Sequence, residues 1–149
     1  MAEFRKMRTE DTPAVLEMMR IFYGSPAVSH DVPEETLRRN VEVCVSDNPL
    51  LEGVVFWEQG NIAGYAMLVH SFATEFGGVC IWLEDIYVKQ EYRGRGIGTQ
   101  FLAYAKEQYR EKAMLLKLEV ERSNIEAVGV YKKCGFEELP YIEMIKTFC

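Results

Sequence analysis

The sequence predicts a mixed α/β domain, an α+β mixed sheet in which strands and helices follow the order βααβββαβαββ. Three observations predict it. Apolar residues recur at helical spacing in separate stretches, strand-like runs crowd between residues 51 and 88, and a glycine cluster joins the last of those runs to a helix. Two helices and then three strands stand in succession, so the order is not the regular βαβ alternation of a doubly wound sheet.

Each element has its own signal. Phe4–Arg8 reads as a short strand. Thr9 stands where an N-cap would, with Glu10 and Asp11 in a first turn whose dipole favours acids, and Pro13 is tolerable that early. Val15, Met19 and Phe22, with Leu16 and Tyr23 beside them, form the stripe of that helix. Residues 24–32 contain Gly, Ser and Pro and predict a loop. A second helix starts at Pro33 and carries Leu37, Val41 and Val45 at four-residue spacing. Leu51–Glu58 and Ile62–Phe72 flank the turn Gln59-Gly60-Asn61 as a β-hairpin, and Val79–Val88 is a third strand. A helix from Gly98 to about Lys112 places Phe101, Leu102, Ala105 and Tyr109 on one face. Leu115–Val120 alternates as a strand, and Asn124–Cys134 reads as a helix that Gly135 closes. Phe136–Glu138 and Ile142–Phe148 are expected to end the chain as strands. With no repeat or long linker, residues 1–149 are expected to form one domain.

Composition narrows the function. Apolar and charged contents of 48% and 27% are ordinary for a globular chain. No apolar run approaches the roughly 20 residues of a membrane helix, and the N-terminal basic residues have no apolar segment behind them. Cys44, Cys80, Cys134 and Cys149 are scattered without partnering histidines, so neither a metal site nor a disulfide framework is expected, and a reducing cytoplasm is the expected location. A net charge of −6 disfavours nucleic acid as a partner. Residues 1–88 carry 14 acidic and 6 basic side chains, whereas residues 89–149 carry 9 and 11. The second half is better suited to a phosphate-bearing ligand and the first to a cationic one.

Arg93-Gly94-Arg95-Gly96-Ile97-Gly98 lies between a predicted strand and a predicted helix. A helix N-terminus offers unpaired N–H groups, glycines admit a bulky phosphate, and arginines add charge for a diphosphate. The spacing excludes two familiar anions. A dinucleotide fingerprint needs glycine at position 99, where Thr99 stands, and a P-loop needs a lysine that is absent.

Arg93, Gly96 and Gly98 meet the Arg/Gln-x-x-Gly-x-Gly/Ala pattern, and here the chain resembles the GNAT (GCN5-related) N-acetyltransferases. The resemblance extends through Trp82-Leu83-Glu84-Asp85-Ile86-Tyr87-Val88, Asn124-Ile125-Glu126-Ala127 and Tyr131-Lys132-Lys133-Cys134-Gly135-Phe136. In motif it is similar to the spermidine/spermine and thialysine branch. The resemblance implies the acyl-CoA N-acyltransferase fold, a mostly antiparallel sheet flanked by helices, with acetyl-CoA as cofactor and a homodimeric state. It implies that Ile86, Tyr87 and Val88 meet the pantetheine arm, that Gly94, Arg95, Gly96, Ile97, Gly98 and Thr99 with Arg93 hold the pyrophosphate, and that Asn124 and Ala127 contact the cofactor. Tyr131 is implied as the acid that protonates the departing thiolate, and Glu84 as the base that deprotonates the amine. Adjacent strand residues face opposite ways, so Glu84 and Asp85 cannot act as a close pair.

The acceptor would be shaped by Phe22, Tyr23, His30, Asp31, Glu34, Glu35, Asp85 and Tyr141, a set of aromatics and acids suited to a small-molecule amine. The expected reaction is acetyl transfer to a primary amine by direct attack in a ternary complex. Cys134, the cysteine nearest the motif, has no histidine near it in sequence to support a covalent route. Transfer to a protein amine, or an acyl-CoA-binding module without catalysis, are the alternatives.

Overall fold

A computed structural model describes residues 1–148. Five strands, β1 (Glu3–Lys6), β2 (Leu51–Glu58), β3 (Asn61–Ala73), β4 (Gly78–Val88) and β5 (Leu115–Leu118), lie in one sheet in sequence order. All neighbours are antiparallel except β4 and β5, which run parallel, as the intervening helical crossover requires. The helices are α1 (Thr12–Tyr23), α2 (Glu34–Val45), α3 (Ile97–Tyr109) and α4 (Ile125–Lys133).

The sheet is covered on both faces, which is why its central strands read as nearly continuous apolar runs. On one face α1 and α2 seat Val15, Met18, Met19, Leu37 and Val41 against Val55, Tyr65, Met67 and Tyr87. On the other, α3 seats Phe101, Leu102 and Ala105 against Phe56, Ala66, Leu68 and Ile81. The far end of α3 is tied to the sheet by Tyr109, whose hydroxyl donates to Glu52 of β2, and that carboxylate also contacts His70 Nε2 at 3.0 Å.

Two expectations are corrected. Thr9 does not cap α1: residues 9–11 form a separate 3-10 turn, and Asp11 binds the Arg8 N–H (2.8 Å) and Arg5 (2.8 and 3.0 Å). The carboxylate outcompetes the hydroxyl because an ionised acceptor can hold a backbone donor and a guanidinium at once. The two terminal strands, at 136–138 and 142–148, do not form. That stretch has strand-like composition but no strand pairs with it, and its large apolar side chains are exposed.

Candidate active site

β4 carries an irregularity that organises the site. Met67 of β3 pairs with Asp85, but the next residue, Leu68, pairs with Leu83, so Glu84 is an extra residue in β4. A bulge of this kind reverses the alternation of everything beyond it. Ile81 and Leu83 face α3; after the bulge Ile86 and Val88 face that side, while Asp85 and Tyr87 turn toward α1 and α2.

The parallel pair also ends here. β5 follows β4 only from Cys80–Leu115 to Leu83–Leu118, and among the described residues no strand lies beside Glu84–Val88 on that edge. The parting opens a cavity of about 390 Å3. Its walls are Ile86 and Val88 of β4, Arg93 of the loop, Gly98 and Leu102 of α3, and Asn124, Glu126, Ala127, Val130 and Tyr131 of α4.

The loop into α3 has the backbone features that suit an anion. Gly94 and Gly96 have φ of 78° and 77°, a region where L side chains are strained. The first helical bond runs from Gln100 N–H to the Gly96 carbonyl (2.9 Å), which leaves the N–H groups of Ile97, Gly98 and Thr99 at the positive end of the helix. Gly98 has another reason to be glycine. It has no positive φ, and an added Cβ would meet nothing within 4 Å, yet the position lines the cavity. Open space beside unpaired donors fits a bulky phosphate ligand.

The arginines divide. Arg93 lines the cavity, with its guanidinium over the Tyr87 ring (5.5 Å) and its Nε donating to the Val88 carbonyl (2.9 Å). Arg95 stacks on Tyr92 (5.1 Å) and donates to the Glu91 carbonyl (3.3 Å). Of the two, Arg93 is the one among the residues that line the cavity. On the opposite wall Asn124 accepts the Ala127 N–H (3.2 Å) and so caps α4. Tyr131 follows two turns later, its ring edge-on to Phe136 at 6.0 Å. Burial, and then the neighbouring Cys134 thiol, push the Tyr131 phenol above its ordinary range, so it holds its proton at neutral pH.

The two carboxylates at the bulge have different fates. Glu84 is exposed where β4 and β5 part; desolvation there, and then Glu143, raise its carboxyl. Glu119, at the end of β5, is pushed up to about 7 by its hydrogen bond to Glu143, by burial, and by the charges of Glu143 and Glu84. Asp85 is 3% exposed and accepts hydrogen bonds from Tyr23 (2.9 and 3.0 Å) and Tyr65 (2.9 Å). Burial raises it to about 6, against the lowering effect of the two phenols. Tyr23 and Tyr65 are themselves raised, first by burial and then by the Asp85 charge.

Asp85 binds its proton more tightly folded than unfolded. Its contribution to stability is therefore fully present below about pH 4 and is lost as pH rises through about 6. The loss is on the order of 3 kcal/mol. Asp85→Asn should flatten the dependence of unfolding free energy on pH between 4 and 7 by about that amount, measured in urea. Parallel profiles for the two proteins would contradict this origin of the shift.

The remaining expected residues are dispersed. Phe22 meets the Tyr23 and Tyr87 rings edge-on at 5.1 and 6.1 Å. Glu34 is engaged on the surface by Arg20 (2.8 Å) and Arg38 (3.1 Å), and His30 is exposed beside Ser29. Tyr141, 65% exposed, donates to Glu75 in the turn between β3 and β4 (2.8 Å) and does not line the cavity. The sequence reading did not single out Leu102, Glu126, Val130 or Tyr65 for the site. Leu102 falls one helical turn after Gly98, and Val130 one turn after Ala127, so helical spacing could have found both.

Residues 13–136 match the profile of the Acetyltransferase (GNAT) family. A thialysine N-ε-acetyltransferase of Sus scrofa is 37% identical over 155 aligned positions, covering 97% of this chain and 89% of that one. A Bacillus subtilis protein provisionally named a ribosomal-protein-alanine N-acetyltransferase is 32% identical over 91% of this chain and 81% of its own length. An aminoglycoside N-acetyltransferase solved with coenzyme A superposes with a TM-score of 0.79 over 100% of this chain and 96% of that one, and at 16% identity it speaks for the fold.

Proposed function

Because the chain belongs to the GNAT acetyltransferase family and is an acetyl-CoA-dependent N-acetyltransferase, we propose that it acetylates a small primary amine, polyamine-like or amino-acid-like, by direct attack in a ternary complex. The observation that carries this reading is the parting of β4 from β5. It puts Glu84 at the fork and Tyr131 on the wall of the cavity that the fork opens.

Acetyl-CoA supplies an acyl group activated as a thioester. The N–H groups of Ile97, Gly98 and Thr99, with Arg93, would hold the diphosphate, and the Ile86–Val88 edge faces Asn124 and Ala127 across the space for the arm. A backbone donor near Ile86 would support negative charge developing on the carbonyl oxygen. Glu84 takes the proton that an ammonium must lose, and Tyr131 gives one to the leaving sulfur. Asp85 is a positioning residue: it fixes the hydroxyl of Tyr23 at the base of the acceptor side. Glu84, Glu119 and Glu143 give the mouth a negative field suited to a cationic amine, and relatives named for thialysine and for spermine/spermidine fit that chemistry.

A protein N-terminus is the second reading, favoured by the Bacillus subtilis relative. Thiol release measured over a panel of diamines, spermidine, thialysine and an alanine-ended peptide decides between them. At least about tenfold higher kcat/KM for a small amine is expected; a preference for the peptide would replace the leading reading. Glu84→Gln should lower kcat/KM about fivefold at pH 7 and remove the acid limb of the pH profile, because protonating Glu84 disables the base as pH falls. An unchanged acid limb would assign the proton transfer elsewhere.

A further inference from the structure

Just inside the fork, β5 places a cation on the acceptor side of the sheet. Lys117 of β5 pairs with Trp82 of β4. Their neighbours Ile81, Leu83, Leu116 and Leu118 pack toward α3. Alternation therefore turns Trp82 and Lys117 to the opposite face, the one that bears Tyr87 further along β4. There the Lys117 ammonium lies over the Trp82 ring, 5.3 Å from its centroid. Neither helix of that face covers the pair. α1 and α2 pack on Val55, Tyr65, Met67 and Tyr87, but on neither Trp82 nor any residue of β5. Among the described residues no carboxylate pairs with the Lys117 ammonium.

Charge on this face follows an order along the strands. Two positions after Trp82 comes Glu84, and two after Lys117 comes Glu119, whose carboxyl is near enough to feel the Glu84 charge. Such a step of two residues along a strand covers about 7 Å. From the fork inward, an acceptor thus meets carboxylates first and then a single cation on an aromatic ring. An extended ω-amino acid of the length of lysine holds its carboxylate roughly 7 Å from its terminal amine. With that amine at Glu84, its carboxylate falls at Lys117 and its α-ammonium beside Glu119. A diamine of the same length would bring a second ammonium against Lys117 instead.

Resting on the small-amine reading above, we propose that Lys117 determines acceptor specificity, binding the carboxylate of an ω-amino acid and repelling diamines and polyamines. Attraction for one class and repulsion of its competitor act in the same direction, so one side chain can separate them. Trp82 is the positioning residue: its ring holds the ammonium of a flexible stem at one place over the strand.

Lysine and cadaverine test this, because they share a chain and a reacting amine and differ by the carboxylate alone. In the wild type, kcat/KM for lysine should exceed that for cadaverine by about tenfold or more. Lys117→Met keeps the stem and removes the charge. It should cut kcat/KM for lysine about tenfold, mainly through KM, and raise that for cadaverine about threefold. Damage to the fold would lower both. Lys117→Arg should keep the order of preference. Trp82→Leu should shrink the ratio about threefold, and Trp82→Phe should restore it. A wild-type ratio of one or below, or a ratio that Lys117→Met leaves unchanged, would overturn the assignment and leave the small-amine reading standing. Turnover of the alanine-ended peptide with neither amine accepted would overturn both.

Discussion

Gly98→Leu is expected to weaken coenzyme A binding by about a hundredfold or more while leaving the fold as stable as before or slightly more so. Position 98 is in the first turn of α3, and a Cβ there meets no protein atom within 4 Å. Its backbone has no positive φ, so leucine is tolerated without strain. Leucine is also a better helix former than glycine, by up to about 1 kcal/mol. The side chain would instead enter the 390 Å3 cavity and cover the N–H groups that end the helix. Binding and stability should therefore move in opposite directions, which loss of fold cannot imitate. Calorimetric titration with coenzyme A and a thermal melt read the two quantities. A dissociation constant within about threefold of wild type would show that the ligand does not pass Gly98. Gly96 could not serve this purpose, because at φ 77° any other residue adds backbone strain on the order of 1–2 kcal/mol.

Tyr131→Phe should reduce kcat between about tenfold and a hundredfold and leave the coenzyme A dissociation constant within about twofold. The ring contributes packing against Phe136 and part of the cavity wall, and phenylalanine keeps both. Only the hydroxyl is lost. Burial raises its pKa, so the hydroxyl is protonated at neutral pH and has a proton to give to a basic departing thiolate. Single-turnover thiol release separates the chemical step from product release. An unchanged chemical rate would take the acid role from Tyr131.

Most of the architecture was legible because its elements follow local rules. The stripes of α1, α2 and α3, the hairpin between β2 and β3, and the glycine junction all depend on residues near one another in sequence. The terminal strands were misread for a physical reason. Residues 142–148 have the composition of a strand, but a strand also needs an edge to pair with, and local propensity does not encode that edge. The cavity walls on α3 and α4 were partly legible through helical spacing, as Gly98 with Leu102 and Asn124 with Tyr131 show. Tyr65 was not, because it meets Asp85 only through the register of β3 on β4, twenty positions away in the chain. Arg95 and Arg93 look equivalent in sequence, but Arg95 stacks on the Tyr92 ring and Arg93 lines the cavity.

The extra residue in β4 has a consequence for how this protein can change. Because Glu84 shifts the phase of the strand, substitutions at Asp85 and Tyr87 alter the α1/α2 side, while those at Ile86 and Val88 alter the wall of the cavity. Neighbouring codons thus address opposite faces of the sheet, which in the proposed reaction meet the acceptor and the acyl donor. Acceptor preference could drift through the odd-numbered positions without disturbing the grip on the acyl donor. Deleting Glu84 would remove the bulge and the carboxylate at the fork, yet Asp85, then directly after Leu83, would still point to the α1/α2 side.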